Sequence, residues 1–145
     1  MRLTLPDLAA TEHFAARVAV VLRPGDAILL SGDLGAGKTA FARALLRAAS
    51  GDPALDVPSP SFTLVQSYDT RHGPVHHYDL WRLDGPGALA ELGWDDARDA
   101  IVVVEWPDRL GALAPPDALR LNFALADGDA RIVTIEGWSG RFADP

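Results

Sequence analysis

The sequence contains no cysteine and no long hydrophobic run. The absence of cysteine excludes disulfide bonds, thiol catalysis and cysteine-based zinc sites. The aliphatic runs, of which Ile101–Val104 is an example, are far shorter than the roughly 18 apolar residues that a membrane span requires. Pro6 and Asp7 come too early for the hydrophobic region of a secretory signal. We therefore expect a cytoplasmic protein that has no membrane contact.

Basic residues are also few. Thirteen Lys and Arg face 20 Asp and Glu, which gives a formal net charge of −7. This charge disfavours a broad surface for direct binding along a nucleic-acid backbone. Of the 145 residues, 48% are hydrophobic and 23% are charged, a balance typical of globular proteins. No linker or repeat divides the chain, so we expect a single domain over residues 1–145.

Hydrophobic periodicity predicts strands that alternate with helices. In the first half, the predicted elements are a strand at 2–5, a helix from an N-cap at Thr11 to Leu22, a strand at 27–30 and a helix from Thr39 to Gly51. In the second half, they are strands at 62–68 and 75–80, a helix at 86–98, a buried strand at 101–104 and a hairpin of strands 119–125 and 131–136. This order favours a three-layer α/β fold with a mostly parallel central sheet and an antiparallel hairpin near the C-terminus.

A glycine-rich segment separates the strand at 27–30 from the second helix. It matches G-x-x-x-x-G-K-[ST] at every fixed position. In this P-loop pattern the backbone N–H groups surround a phosphate, the lysine reaches the β- and γ-phosphates and the hydroxyl binds Mg²⁺. The predicted nucleotide-binding residues are Gly32, Asp33, Leu34, Gly35, Ala36, Gly37, Lys38 and Thr39. The apolar strand before the loop and the amphipathic helix after it are the context that this motif needs.

Two acidic residues are candidates for the second half of the site. Glu105 directly follows the four aliphatic residues of the strand at 101–104, so it is expected at the carboxyl end of that strand. Asp79 ends a weaker strand, and a parallel arrangement would bring both carboxylates to one edge of the sheet. We assign Glu105 to the metal and Asp79 to a supporting or water-orienting role, although Asp79 could instead pair with Arg82.

Histidine and tryptophan residues lie near the same motifs. His76 and His77 are adjacent on a predicted strand and must face opposite ways, which disfavours a zinc site. Trp81 and Trp94 fit a core or a partner surface better than a base-stacking platform. Trp106 is expected close to the site because it follows Glu105.

Other nucleotide-binding classes fit the sequence less well. A small-molecule kinase usually places a lid or several arginines over the transferred phosphoryl group, whereas the arginines here are scattered. A GTPase would need an Asn-Lys-x-Asp motif, and the single asparagine, Asn122, is followed by Phe123. A kinase and a non-catalytic nucleotide-sensing module both stay open as alternatives.

Four motifs occur in a recognisable order and spacing. They are the phosphate loop at 32–39, Ser-Pro-Ser-Phe-Thr-Leu-Val at 59–65, His-Tyr-Asp-Leu-Trp-Arg-Leu at 77–83 and Glu-Trp-Pro at 105–107. Together they resemble the TsaE (YjeE) family of bacterial P-loop ATPases, from about residue 11 to about residue 131. The resemblance implies ATP and Mg²⁺ as cofactors and very slow hydrolysis by the isolated protein.

The same resemblance implies a biological role. Members of this family act in making threonylcarbamoyladenosine on tRNAs that read codons beginning with A. They act in a complex with the TsaD and TsaB proteins, so tRNA would be reached only indirectly. The resemblance leaves self-association open. The loop at 52–60 and the region 81–98 are our candidates for segments that sense nucleotide or face a partner.

The resemblance also assigns roles to individual residues. By position, these are the phosphate lysine Lys38, the Mg²⁺ ligands Thr39 and Glu105, the required acid Asp79 of the His-x-Asp-x-Tyr-Arg motif, and two nucleotide contacts, Thr11 and Arg131. The sequence departs from the family pattern at Ser61, where threonine is common, and at Trp81, where tyrosine is usual. Ser61 keeps a hydroxyl, whereas Trp81 loses one.

Overall fold

A computed structural model describes residues 1–141, which form one seven-stranded mixed sheet with helices on both faces. The strands are β1 (Arg2–Leu5), β2 (Ala27–Gly32), β3 (Val65–Thr70), β4 (Gly73–Asp79), β5 (Ile101–Glu105), β6 (Leu119–Leu125) and β7 (Arg131–Glu136). The α-helices are α1 (Leu8–Val20), α2 (Lys38–Ser50) and the short α3 (Trp94–Ala97), and 3₁₀ helices cover Pro86–Leu92 and Pro107–Leu113.

The centre of the sheet is parallel and its edges are antiparallel. The strand order is β1-β7-β6-β2-β5-β4-β3. Strand β2 pairs in parallel with β5 and β6, and β5 pairs in parallel with β4. The β6–β7 hairpin, β1 on β7 and β3 on β4 are antiparallel. The α/β fold with a parallel centre and a C-terminal hairpin, predicted from the sequence, is confirmed.

Each face of the sheet carries its own hydrophobic core. On one face α1 and α2 pack over alternate residues of the central strands, and Phe41 contacts Phe14 and Phe123 with ring centroids 5.6 and 5.7 Å apart. On the other face Tyr78 meets Trp94 edge-on at 5.2 Å. Burial raises the pKa of Tyr78 to about 12, so its hydroxyl stays protonated and donates to the Leu92 carbonyl at 2.9 Å.

The first helix begins earlier than predicted. Its N-cap is Asp7, whose carboxylate accepts a hydrogen bond from the Ala10 N–H at 2.9 Å, and the predicted cap Thr11 lies inside the helix and is buried. An aspartate before a helical run is as good an N-cap as a threonine, and here the upstream residue caps the helix.

Replacing Asp7 with alanine should therefore lower the free energy of unfolding by about 1 kcal/mol, the usual value of an N-cap. Urea unfolding followed by circular dichroism measures this change. Thr11→Val keeps the shape of the side chain and removes only its hydroxyl, so it serves as the matched control. A larger loss in Thr11→Val than in Asp7→Ala would contradict the assignment of the cap.

Several other boundaries differ from the prediction, most of them by one to three residues. The α-helix predicted over 86–98 is a 3₁₀ helix and then α3, because Gly93 takes the left-handed conformation at φ 71° between them. Strand β3 begins at Val65 rather than at residue 62, since the Leu64 N–H closes a turn onto the Pro60 carbonyl at 2.7 Å. The second helix begins at Lys38, one residue earlier than predicted.

Within residues 1–141, no helix is both long and apolar enough to cross a membrane.

Candidate nucleotide-binding site

The candidate site lies where the parallel strands end. Leu30 of β2 pairs with Glu105 of β5, and Glu105 pairs with Asp79 of β4. The two carboxylate residues are therefore direct neighbours at the carboxyl edge of the sheet, as the parallel arrangement predicted. Crevices at this edge are where open α/β sheets bind their ligands.

The glycine-rich segment forms the loop that leads from β2 into α2. Gly32 has φ 132°, and a Cβ at this position would collide with the Phe123 carbonyl of the adjacent strand β6. Gly37 caps α2 with φ 117°, a conformation that residues with a Cβ rarely adopt. These two glycines let the chain turn sharply and bring the N-terminus of α2, with its free N–H groups, to the edge of the sheet.

Lys38 is folded back over its own loop. Its ammonium group donates to the carbonyl oxygen of Gly32 and, at 2.9 Å, to that of Asp33. It also lies 4.2 Å from the centre of the Trp106 ring, within cation–π range. Burial lowers the pKa of Lys38, and the nearby carboxylates, Glu105 foremost, oppose this effect. The ammonium group is thus held beside the loop by two backbone carbonyls and an aromatic ring.

Thr39 and Glu105 form the contact that joins the loop to the sheet. The Thr39 hydroxyl donates to Glu105 Oε1 at 2.9 Å. Hydroxyl and carboxylate oxygens are hard ligands, and Mg²⁺ in nucleotide sites is held by one or two carboxylates together with substrate phosphates. In the described part of the chain, no three His, Cys, Asp or Glu side chains are grouped as a ready-made metal site. The pair Thr39 and Glu105 fits a metal that also binds phosphate.

A histidine that the sequence analysis did not assign to the site completes this cluster. His77 Nε2 lies 2.7 Å from Glu105 Oε2, and both side chains are buried, at 0% and 2% exposure. His76 instead faces the other way and contacts the Ser67 hydroxyl at 2.7 Å, so the predicted opposition of the two histidines is confirmed. The signal in the sequence was the i, i+2 spacing of His77 and Asp79, which puts both on one face of β4.

Asp79 is held by a backbone N–H group and a hydroxyl. Oδ1 accepts from the Trp81 N–H at 3.1 Å, and Oδ2 lies 3.5 Å from the Ser59 hydroxyl. Ser59 and Ser61 are themselves 2.9 Å apart. Arg82, weighed from the sequence as an ion-pair partner of Asp79, instead lies 4.7 Å from the centre of the exposed Phe62 ring. The carboxylate is thus positioned by neutral groups.

These residues surround a cavity of about 360 Å³. Its lining comprises Leu34, Gly35, Gly37, Lys38, Thr39, Ala40, Ser59, Ser61, Asp79, Trp81, Glu105, Trp106 and Arg131. Of the residues predicted for the site, Thr11, Gly32, Asp33 and Ala36 do not line this cavity. The Asp33 carbonyl accepts a hydrogen bond from Lys38, and Ala36 is buried in the hydrophobic core under α1 and α2.

Thr11 and Arg131 meet at a smaller neighbouring cavity of about 220 Å³. Gly37, Ala40 and Arg131 line both cavities, whereas Thr11 lines only the smaller one. Two acidic residues, Asp7 and Asp129, are also at the smaller cavity. Thr11 therefore does not line the cavity that contains the Thr39–Glu105 pair, whereas Arg131 lines both cavities.

The tryptophans divide between the core and the cavity. Trp94 is buried, whereas Trp81 is 46% exposed and lines the cavity. Trp81 contacts Trp106 with ring centroids 4.3 Å apart, and Trp106 has the rare backbone angle φ 61° directly after Glu105. Such strain in a residue that bears a Cβ is found mainly at functional sites. Trp106 lies at the cavity, as its position after Glu105 predicted.

Comparisons with known proteins agree with this geometry. The model of the family described as "Threonylcarbamoyl adenosine biosynthesis protein TsaE" matches residues 5–133. Among curated proteins named tRNA threonylcarbamoyladenosine biosynthesis protein TsaE, that of Rickettsia felis is 35% identical, over 92% of this chain and 78% of its own. That of Synechocystis sp. is 39% identical, over 78% of this chain and 74% of its own.

A solved structure is similar as well. The crystal structure of Bacillus subtilis YdiB superposes with a TM-score of 0.76 at 26% sequence identity. The superposition covers 98% of this chain and 88% of the YdiB chain. The similarity therefore extends over the whole sheet and its helices.

Proposed function

This chain belongs to the TsaE family, and on that premise we propose that it binds ATP with Mg²⁺ and hydrolyses it slowly to support threonylcarbamoyl modification of tRNA. The observation that carries the ATPase proposal is the 2.9 Å contact between Thr39 and Glu105. This contact puts a hydroxyl at the start of α2 and a strand-end carboxylate side by side, at the edge where the phosphate loop lies. A site that only bound phosphate would not need this pair of oxygen ligands.

In this proposal the loop and Lys38 hold the triphosphate. The N–H groups at the start of α2 point toward the anion, and the ammonium group of Lys38 turns from the carbonyls of Gly32 and Asp33 to the phosphate oxygens. Thr39 and Glu105 would hold Mg²⁺, which would offset negative charge on the phosphates. Arg131 and Thr11 contact the rest of the nucleotide, since the smaller cavity opens beside Gly37.

Asp79 is proposed to orient the attacking water. Its carboxylate lines the cavity next to Glu105 and is held by the Trp81 N–H and the Ser59 hydroxyl. A carboxylate so fixed can accept a proton or a hydrogen bond from water that approaches a phosphate. The Ser59 and Ser61 hydroxyls would complete the polar wall of the site.

The role in tRNA modification rests on family membership. The curated relatives are named for tRNA threonylcarbamoyladenosine biosynthesis. We propose that the chain acts as one domain in the cytoplasm, with TsaD and TsaB as partners. The net charge of −7 supports a protein that reaches tRNA only through those partners.

The deciding experiment measures ATP hydrolysis by the purified protein with Mg²⁺, alone and then mixed with TsaD and TsaB. We expect slow turnover by the protein alone and a sharp rise in the mixture, because partners commonly supply the positioning and charge that an isolated nucleotide site lacks. Omitting Mg²⁺ should stop turnover in both. The mixture without this chain is the control for ATPase activity of the partners.

Three other outcomes have definite meanings. Turnover that TsaD and TsaB leave unchanged would keep the ATPase and remove the proposed partners. ATP binding without turnover in either setting would favour the nucleotide-sensing alternative. Transfer of the γ-phosphate to an added small molecule would favour the kinase alternative.

A further inference from the structure

His77 makes its one close polar contact with the carboxylate assigned to the metal. Among the described residues, Nε2 contacts Glu105 Oε2 at 2.7 Å, and Nδ1 is buried without a hydrogen-bond partner. A carboxylate oxygen accepts hydrogen bonds and a protonated ring nitrogen donates them, so in this contact His77 Nε2 is the donor and Glu105 Oε2 the acceptor. His77 is therefore a donor aimed at one oxygen of Glu105.

Each carboxylate oxygen of Glu105 therefore has its own hydrogen-bond partner. Oε2 accepts from His77 and Oε1 accepts from the Thr39 hydroxyl. A glutamate side chain has three rotatable bonds, and holding one oxygen removes most of that freedom. If a cation bound Oε1 and the Thr39 oxygen, the Thr39 hydroxyl would no longer donate to Oε1. The hydrogen bond from His77 to Oε2 could stay in place.

We propose that His77 is a positioning residue that holds the Glu105 carboxylate by Oε2, so that Oε1 and the Thr39 hydroxyl face a divalent cation as a preformed pair of oxygen ligands. This inference rests on the proposed function, because it assigns a divalent cation to Thr39 and Glu105. Hydrogen bonds to a metal-ligating carboxylate orient the ligand and raise metal affinity. His77 is fully buried, so it can hold Glu105 without touching the nucleotide itself.

The test uses the full chain loaded with ADP and measures Mn²⁺ affinity by electron paramagnetic resonance. Mn²⁺ prefers the same oxygen ligands as Mg²⁺. We expect His77→Leu to weaken Mn²⁺ binding about 10- to 100-fold, the usual effect of removing such a supporting hydrogen bond. ADP affinity measured in EDTA should stay near that of the unchanged protein.

Two variants separate positioning from packing. His77→Gln places an amide N–H the same number of bonds from Cβ as Nε2, so it should recover most of the Mn²⁺ affinity lost in His77→Leu. His76→Leu, on the opposite face of the same strand, should leave Mn²⁺ affinity unchanged. Thermal unfolding of each variant shows whether it is folded under the conditions used.

Other outcomes distinguish the inference from its premise. Equal losses in His77→Gln and His77→Leu would overturn the inference and indicate a packing role. Full Mn²⁺ affinity in His77→Leu, together with lost affinity in Glu105→Ala, would overturn it and leave the proposed metal site intact. Full affinity in Glu105→Ala would show that the proposed metal site itself is wrong.

Discussion

Replacing Lys38 with alanine should lower ATP affinity by roughly 10²- to several 10³-fold, because losing a charged partner from a desolvated ion pair costs about 3–5 kcal/mol. The ammonium group is buried at the cavity, and its present partners are two backbone carbonyls and an aromatic ring. Phosphate oxygens would be stronger partners than any of these. Isothermal titration with ATP measures the loss.

A second variant tests whether charge or packing is responsible. Lys38→Met keeps an unbranched side chain that still covers the Trp106 ring, and it removes the ammonium group. We expect it to lose as much affinity as Lys38→Ala. Recovery of ATP binding in Lys38→Met would show that the side chain acts through packing on Trp106 and would contradict the assignment to phosphate.

Lys38 is also the only lysine in the sequence, which allows a direct measurement on the unchanged protein. An amine-acylating reagent can modify one side chain, and mass spectrometry reports the extent. ATP should protect Lys38 from acylation. The α-amino group of Met1, which donates to the Ile135 carbonyl, is the internal reference and should react equally with and without ATP.

Replacing Glu105 with alanine should lower Mg²⁺-dependent turnover by roughly 10²- to 10³-fold, since metal stabilisation of developing charge is worth several kcal/mol. Nucleotide affinity should fall much less than in Lys38→Ala, because the phosphate loop and Lys38 stay in place. Steady-state ATPase assays over a range of Mg²⁺ concentrations, together with ATP titrations in EDTA, separate the two effects.

Glu136→Ala is the matched control for this substitution. Glu136 is exposed at the end of β7, so the same chemical change there should leave turnover unaffected. If Glu105→Ala hydrolyses ATP at the normal rate, Glu105 does not hold the metal. Asp79, which pairs with it across β4 and β5, would then be the first alternative ligand.

Local patterns explain why much of the fold was predictable. The phosphate loop lies within eight consecutive residues, 32–39, so its function depends on spacing that the sequence displays directly. The hairpin strands at 119–125 and 131–136 matched the structure because alternation and a tight turn are both local signals. The aliphatic run before Glu105 likewise indicated a strand buried on both faces.

Errors arose where two local signals competed. Asp7 and Thr11 are both good N-caps, and the periodicity of α1 did not decide between them. Leucines at helical spacing within 86–98 suggested one α-helix, whereas Gly93 divides the segment. In both cases one residue, Asp7 or Gly93, sets the boundary, and hydrophobic periodicity does not detect such a residue.

By itself the sequence determined the phosphate loop, the order of strands and helices and the expectation that Glu105 and Asp79 lie at one edge. Only the tertiary structure decided that Thr39, 66 residues from Glu105, would bond one oxygen of its carboxylate and that His77 would hold the other. The register of β4 on β5 and the packing of α2 on the sheet bring these side chains together. Contacts between distant segments depend on strand register and helix packing, and these are global properties of the folded chain.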